Sequence, residues 1–268
     1  MASSDKKAPP DHRDLIQRGN KEPSPIGTAT FIGLRLLDPF LQYGILAKGW
    51  GSSALHAAGL ETLPAGLPTA SGTPIDALGL SPYRLILLGM ATATAAKHVW
   101  WVAATREEHF GPGTAAIVAA YNMAFNSAND LVFTTALMSG SLAGGAAFPQ
   151  PPLVAGAVLF VLGLAVELVA EAQRARFKRD PANKGKPFTG GLFAYARHVN
   201  YTGYTMWRAG YSLAAGGWAW GVGTVLWQGS DFVMRAVPVL NDYCEKRYGD
   251  DWVRYTQQTP YKLIPYIY

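Results

Sequence analysis

The stretch PLVAGAVLFVLGLAVELVAE, from Pro152 to Glu171, decides the fold class of this chain. It carries no charged side chain before Glu167, and it is long enough to cross a bilayer as a helix, which takes about 20 residues. A basic segment follows at once, from Arg174 to Arg197. An apolar stretch of this length beside clustered Lys and Arg residues is typical of a membrane-spanning helix with a cytosolic flank.

Five further segments are apolar enough to be membrane spans, at residues 26–47, 83–104, 113–142, 199–215 and 218–238. Together the segments predict an all-α fold, a multi-pass transmembrane helical bundle of about six spans. In the first span, Arg35 and Asp38 are spaced to pair across one helical turn. The third span is long and polar around Asn126, so we expect a bend or a break there. Gly216 and Gly217 predict a tight turn between the last two spans.

Lys and Arg residues occur in alternate connections between these spans. The connections at residues 49–83, 139–173 and 209–234 contain none, whereas those at 105–111 and 174–198 and both chain ends contain them. This alternation predicts that both termini and the basic 174–198 connection are cytosolic. A soluble bundle of buried helices is disfavoured, because it gives no reason for the alternation.

Composition limits the other classes of protein. Charged residues make up 15% of the 268, against about 25% in soluble domains. The net charge of +5 does not indicate nucleic-acid binding, because the basic residues lie beside apolar segments. Cys244 is the only cysteine, which excludes a disulfide within the chain. Residues 1–24 are polar and predict a disordered tail, and residues 241–258, rich in Tyr, predict a helix at the membrane interface.

Polar side chains cluster at the cytosolic ends of the last three spans. Glu167 and Glu171 lie one turn apart on one helix face, and the next span opens with Arg197, His198 and Asn200. Charged groups inside a span are costly and usually face a cavity. This mixture of cations, carboxylates, amide and aromatic rings is expected for binding a phosphorylated, aromatic cofactor from the cytosol. No set of metal ligands is predicted.

Each of these features also has a simpler explanation. The basic connection could contact anionic lipid, His198 could be a buried structural residue, and Glu167 and Glu171 could be solvated at a helix end. Lys97, in the second span, could extend to the cytosolic surface, and the asparagines of the third span could join helices by hydrogen bonds. Spacing alone therefore leaves the function open.

The order of side chains between residues 167 and 204 is more specific. The chain reads Glu167, Ala170-Glu171-x-Gln173, Phe177-Lys178, Pro181, Asn183-Lys184-Gly185-Lys186, Gly191-Leu192-Phe193 and Arg197-His198-Val199-Asn200-Tyr201-x-Gly203. This order resembles the C-terminal domain of the steroid 5-alpha-reductase superfamily, especially its DUF1295 branch. The end of the chain, Cys244-x-Lys246-x-Tyr248-Gly249-x-x-Trp252 and then Tyr261 to Tyr268, is similar to the sterol C14 and C24 reductases.

The resemblance implies a reductase that uses NADP(H) to reduce a carbon–carbon double bond in a sterol, steroid or related lipid, in the endoplasmic reticulum membrane. It implies that residues 25–145 form the wall of a lipid pocket and that residues 146–268 form a cofactor-binding unit. The residues that fall in the family's cofactor motifs are Glu167, Glu171, Lys178, Lys186, Tyr195, Arg197, His198, Asn200, Tyr201, Cys244 and Tyr248. Tyr121 and Tyr204 are the candidate catalytic residues, with Asp38 as the carboxylate that would orient Tyr121.

Two other functions stay open, because the chain departs from the family pattern. Tyr204 replaces the glutamate that follows the motif's last glycine, and Val199 replaces a proline. Tyr204 lies where the isoprenylcysteine carboxyl methyltransferases have a tryptophan, so methylation by S-adenosylmethionine is an alternative. Against it, Asn200 matches the reductases, and Leu240 and Asn241 stand where those methyltransferases have paired glutamates. A membrane protein that keeps the fold without catalysis is the third alternative.

Overall fold

The fold is built from α-helices joined by turns, in a computed structural model that describes residues 18–145 and 147–268. The α-helices of these residues are α1 Pro25–Lys48, α2 Ser52–Ala57, α3 Pro82–Trp100, α4 Pro112–Thr134, α5 Pro151–Arg179, α6 Val199–Asp231, α7 Val237–Tyr248 and α8 Asp250–Gln258. Turns of 3-10 helix lie at Pro74–Leu78, Gly140–Gly145, Pro181–Asn183 and Gly191–Ala194, and π-helical turns lie at Trp101–Thr105 and Phe232–Ala236. The described residues contain no strand beyond one isolated bridge between Thr62 and Thr135. The all-α prediction is confirmed.

Proline marks the start of four of the long helices. Pro25, Pro82, Pro112 and Pro151 lie in the first turns of α1, α3, α4 and α5. A proline fits there because its fixed φ suits a helix and because an N–H at that position would have no partner within the helix. These four helices therefore begin within one residue of the predicted spans.

The third predicted span is shorter than expected, and its polar middle does not break it. α4 ends at Thr134 instead of near residue 142, because the next residue, Thr135, adopts an extended backbone and bridges Thr62. Through its middle, α4 is a continuous helix. The predicted bend or break is wrong, and the end of this span was placed too late.

The polar residues of α4 are buried against neighbouring helices. Asn126 Nδ2 donates to Asp38 Oδ2 at 2.7 Å, and Tyr211 of α6 donates to Asp130 Oδ1 at 2.7 Å. The predicted Arg35–Asp38 ion pair is present at 3.0 Å, with both side chains fully buried. Since each partner satisfies a buried group, these bonds join α1, α4 and α6 instead of disrupting them.

α5 and α6 pack backbone against backbone along a seam of glycines. A Cβ atom at Gly163 would lie 2.3 Å from the backbone of α6, and one at Gly203 would lie 2.6 Å from the Glu167 nitrogen. Further along, a Cβ at Gly156 would lie 2.5 Å from the carbonyl oxygen of Gly210. Such approaches need residues without a Cβ. The seam holds the polar end of α5 directly beside the start of α6.

α6 contains the turn that was predicted at Gly216 and Gly217. Gly217 has φ 72° and ψ −168°, a conformation that suits glycine and interrupts the helix. α6 is thus two helical rods joined at this residue. They correspond to the fifth and sixth predicted spans, and the second rod continues through the π-turn into α7.

The C-terminal residues fold back onto the protein. Gly249 divides the single helix predicted over residues 241–258 into α7 and α8. Trp252 and Tyr255 of α8 are buried, and Tyr255 Oη donates to the Phe193 carbonyl oxygen at 2.7 Å. The expectation that these rings lie among lipid headgroups is wrong for Trp252 and Tyr255, because protein covers them.

Two helical segments of the described residues are long and apolar enough to cross a membrane, Pro82–Thr105 and Pro151–Arg179. The other predicted spans also form helices, and whether these cross a membrane stays a prediction. Most of the predicted disordered tail, residues 1–17, lies outside the described residues. Residues 18–24 lie against the rest of the protein, through contacts described below.

Candidate functional site

Glu167 sits at the centre of a buried polar cluster. Its Oε1 forms an ion pair with Lys97 of α3, and its Oε2 accepts a hydrogen bond of 2.6 Å from the Trp207 indole nitrogen of α6. Both charged side chains are buried. Lys97 therefore does not extend to the cytosolic surface, because a buried carboxylate neutralises it where it stands.

Glu171, one turn later on α5, joins α5 to the start of α6. Its Oε1 accepts a hydrogen bond of 2.9 Å from Asn200 Nδ2, and its Oε2 lies 2.5 Å from Arg174. The bond fixes the orientation of the Asn200 amide, so the Asn200 Oδ1 atom is left as an acceptor. Glu167 and Glu171 are thus buried and paired, and the explanation that they are solvated at a helix end is wrong.

The motif that opens α6 is tied to the C-terminal segment. The backbone N–H groups of Arg197 and His198 donate to the carbonyl oxygens of Tyr261 and Lys262, at 3.0 and 2.8 Å. The Arg197 guanidinium donates to the Thr259 carbonyl oxygen at 2.7 Å. Arg197 therefore has a structural role in holding the end of the chain, besides lining the smaller of the two cavities described below.

His198 is buried with its Nε2 atom unpartnered among the described residues. Its ring stacks on Tyr201, with centroids 5.7 Å apart. Burial, and then the nearby Arg197, Arg174, Arg18 and Lys262, lower the pKa of His198 to about 3. His198 is accordingly neutral at physiological pH and presents one unused ring nitrogen.

A cavity of about 510 Å³ opens above this polar cluster. One part of its wall is polar and includes Lys97, Glu167, Glu171, Asn200 and Tyr204. Most of the remaining exposed area of the wall is apolar, from residues such as Phe31, Trp101, Phe110, Ile117, Val118 and Trp227. Further charged groups also line it, among them Arg106, Glu107, Asp231 and Arg235. The cavity thus combines an apolar wall of the size that suits a hydrophobic molecule with a few convergent polar groups.

A smaller cavity of about 110 Å³ adjoins the first. The two share the side chains of Arg18, Glu108, Arg174, Lys178 and Leu240. The aromatic residues that line the smaller cavity are Phe188, Phe193, Tyr243, Tyr248, Trp252 and Tyr255. Arg197 also lines the smaller cavity, so its wall holds four cations and one carboxylate. This composition favours the binding of an anionic aromatic group.

Tyr121 and Tyr204, two of the three tyrosines that line the larger cavity, differ in their hydrogen bonds. The Tyr204 oxygen accepts a bond of 3.0 Å from Arg208 Nε, which leaves the Tyr204 proton available. The Tyr121 hydroxyl instead donates to Gln228 Oε1 at 3.2 Å. Arg208 is buried below, where Asn122 and Asn126 also accept its N–H groups.

Most of the predicted site residues come together at the two cavities. The larger is lined by Tyr121, Glu167, Glu171, Lys178, Asn200, Tyr201 and Tyr204, and the smaller by Lys178, Arg197, His198, Cys244 and Tyr248. Lys186 and Tyr195 line neither. Lys186 is exposed after the turn at Pro181–Asn183, and Tyr195 points outward while its neighbour Phe193 is buried. Asp38 bonds to Asn126 and Gln42 and not to Tyr121.

Sequence reasoning missed several residues of the site. Arg208 is a charge within a predicted span, and that alone signals a functional or structural partner. Arg174 was noted only as part of the basic connection, although it lines both cavities. Arg18 comes from the predicted disordered tail and carried no signal. Among the described residues, no group of three or more His, Cys, Asp or Glu side chains is arranged to hold a metal ion.

Comparison with known proteins places the chain in a family. Residues 130–259 match the family described as "Protein of unknown function (DUF1295)". A probable O-methyltransferase, ustE, of Ustilaginoidea virens is 44% identical over 238 residues, which are 88% of this chain and 84% of that protein. This chain belongs to the DUF1295 family.

Shorter similarities connect this DUF1295 protein to sterol reductases. The 7-dehydrocholesterol reductase of Danio rerio is 36% identical over 87 residues, which are 32% of this chain and 18% of that protein. A Delta(14)-sterol reductase of Arabidopsis thaliana is 24% identical over 133 residues, 44% of this chain and 35% of that protein. The predicted resemblance to the DUF1295 branch and to sterol reductases is confirmed.

Proposed function

We propose that this DUF1295 protein is an NADPH-dependent reductase of a carbon–carbon double bond in a sterol, steroid or related lipid. The observation that carries the proposal is the contact between two unlike cavities. One is small, cationic and aromatic, and the other is large with a mostly apolar wall. The phosphorylated end of a nucleotide suits the first and a lipid suits the second, and the contact between the cavities would let the nicotinamide end reach the lipid.

The residues of the smaller cavity fit the phosphorylated end of NADPH. Arg174 and Lys178 would neutralise phosphate, and Tyr248 offers a ring for the adenine to stack on. The unpartnered Nε2 of His198 is a buried polar atom that a ligand would satisfy. In the larger cavity, the free Oδ1 acceptor of Asn200 suits the carboxamide N–H of a nicotinamide.

When bound, NADPH would supply a hydride to one carbon of the double bond, and the other carbon needs a proton. Tyr204 suits this second role better than Tyr121, because its oxygen accepts from Arg208 while its own proton stays available to the cavity. The Arg208 cation would also stabilise negative charge on that oxygen as the proton leaves. Tyr121 already donates its proton to Gln228.

The proposal includes a membrane setting with six spans and both termini in the cytosol, in the endoplasmic reticulum. Large apolar side chains on the outer faces of the helices support it, since a surface of this kind suits lipid. Those of α1, α5 and α6 are Leu36, Leu37, Phe40, Val158, Val161, Leu162, Val222, Val225 and Leu226. Residues 25–145 would then form the lipid pocket wall, and residues 146–268 the cofactor-binding unit.

Methylation by S-adenosylmethionine is the second candidate, and the similarity to a probable O-methyltransferase favours it. The charges of the site argue against it. S-adenosylmethionine carries a sulfonium cation and no phosphate, so Arg174, Lys178 and Arg18 would have no phosphate to neutralise. A protein that keeps the fold without catalysis would bind neither cofactor.

Thermal unfolding of the purified protein with each cofactor tests the proposal. A ligand raises the unfolding temperature only if it binds the native state. We expect stabilisation by NADPH and none by S-adenosylmethionine. Stabilisation by S-adenosylmethionine alone would favour the methyltransferase, and stabilisation by neither compound would favour the protein without catalysis. Asn200→Ala should weaken NADPH binding, whereas Lys186→Ala, outside both cavities, serves as the matched control.

The role of Tyr204 needs a separate test. In a panel of sterols that carry double bonds, NADPH oxidation identifies a substrate. Tyr204→Phe should then abolish turnover and leave NADPH-induced stabilisation intact, while Tyr121→Phe should retain turnover. Equal activity of Tyr204→Phe and wild type would exclude Tyr204 as the proton donor.

A further inference from the structure

The segment Arg18–Ser24, here called the N-terminal strap, lies against the segment between α3 and α4. Lys21 Nζ lies 2.5 Å from Glu107 Oε2, and the His109 backbone N–H donates to the Asn20 carbonyl oxygen at 2.7 Å. The Phe110 N–H donates to the side chain of Ser24 at 3.1 Å. The strap is thus attached at several points along the 106–110 segment.

The other side of the strap faces α7. The Arg18 guanidinium lies 5.9 Å from the centre of the Tyr243 ring. Gly19 has φ +78°, and a Cβ atom there would be 3.4 Å from the Tyr243 hydroxyl and 3.7 Å from Arg247 Nη1. The strap therefore runs between the 106–110 segment and α7, and these two elements border the two cavities.

Arg18 lies where the two cavities meet. It lines both of them, together with Arg174, Lys178 and Glu108. Three cations thus share one wall with Glu108, and a second carboxylate, Glu171 of the larger cavity, pairs with Arg174. Cations gathered in this way repel one another unless an anion lies between them. The lowered pKa of His198, to which the Arg18 charge contributes, agrees with a positive potential in the smaller cavity.

We infer, on the basis of the proposed function, that Arg18 is a phosphate-binding residue and that the N-terminal strap closes over the bound dinucleotide. The ion pair of the strap adds little to this attachment, because it is exposed: the Lys21 side chain is 59% and the Glu107 side chain 30% accessible. Exposed ion pairs contribute little to stability. A phosphate between Arg18, Arg174 and Lys178 adds the attraction that keeps the strap closed.

Titration of the full-length protein with NADPH tests this inference. Arg18→Ala should weaken NADPH binding about tenfold, the loss of one charged hydrogen bond. Arg254→Ala is the matched control, because Arg254 is an exposed arginine on α8 that pairs with Asp251 outside both cavities. The unfolding temperature without ligand establishes that each variant is folded.

Strap closure has its own readout. Lys21→Glu should weaken NADPH binding about two- to fivefold, and adding Glu107→Lys should restore it, because the ion pair is rebuilt with its charges exchanged. NADPH should also slow tryptic cleavage after Arg18 and Lys21 in the wild type. Cleavage at an unchanged rate in saturating NADPH would exclude closure.

The outcomes separate the inference from the proposed function. If the wild type does not bind NADPH, the proposed function fails and the inference fails with it. If the wild type binds NADPH and Arg18→Ala binds it equally well, only the role of Arg18 is overturned. If Arg18→Ala weakens the binding of NADPH more than that of NADH, Arg18 binds the 2′-phosphate. If it weakens both equally, Arg18 binds the pyrophosphate, and both results support the inference.

Discussion

Disruption of the buried Lys97–Glu167 ion pair should cost the protein substantial stability. Both side chains are buried, at 5% and 8% exposure, and Glu167 also accepts the Trp207 indole N–H. Glu167→Gln keeps an oxygen for Trp207 but leaves the Lys97 cation unpaired in the interior. An uncompensated buried charge of this kind costs about 3–5 kcal/mol.

A double-mutant cycle in detergent, followed by thermal and denaturant unfolding, measures this cost. Glu167→Gln should lower the free energy of unfolding by about 3–5 kcal/mol. The double variant Lys97→Met with Glu167→Gln should recover most of this stability, because no charge is left unpaired. Asp251→Asn is the control: it breaks the exposed Arg254–Asp251 pair and should cost less than about 1 kcal/mol. If the double variant is as unstable as the sum of the single variants, the two charges are not coupled and the reasoning is refuted.

Three further predictions address the seam and the smaller cavity. Gly203→Ala should lower the free energy of unfolding by about 1–3 kcal/mol, because the new Cβ would lie 2.6 Å from the backbone of α5. Gly223 has open space around it, so in denaturant unfolding Gly223→Ala should be as stable as the wild type or slightly more stable. Burial raises the pKa of Cys244, the chain's single cysteine, to about 11, so iodoacetamide should modify it far more slowly at pH 8 than in urea; equal rates would contradict its burial. Folding lowers the pKa of His198 from 6.5 to about 3, so as the pH falls the unfolded state binds a proton at this site before the folded state does. The free energy of unfolding should therefore drop below pH 6.5, by about 2 kcal/mol at pH 5. His198→Gln should flatten this pH dependence in chemical denaturation, and an unaltered slope would assign it to other groups.

Features that depend on neighbouring residues were predictable from the sequence. Apolar length and an initial proline located the starts of α1, α3, α4 and α5, and Gly217 located the turn within α6. The paired positions of Glu167 and Glu171 also follow from helical spacing alone. In each case the cause lies within a few residues of the effect.

Features that depend on distant partners were not predictable. The end of α4 is set by Thr62, which lies far earlier in the chain, and the position of Lys97 is set by a carboxylate on α5. The family motif also included Lys186, whose position depends on how the basic connection turns after α5. Arg18 reaches the site only through contacts with the 106–110 segment and α7, and no local pattern encodes these.

The glycine seam gives α5 and α6 a fixed register. A slip of one helix along the other would drive a side chain into the facing backbone, because the interface has no room for a Cβ atom at Gly163 or Gly203. Glu171 and Asn200, one on each helix, therefore keep their spacing whatever enters the cavities. Any widening must come from the opposite wall. Differences among relatives in the size of the larger cavity are therefore expected in α1, α3 and α4, while the seam stays unaltered.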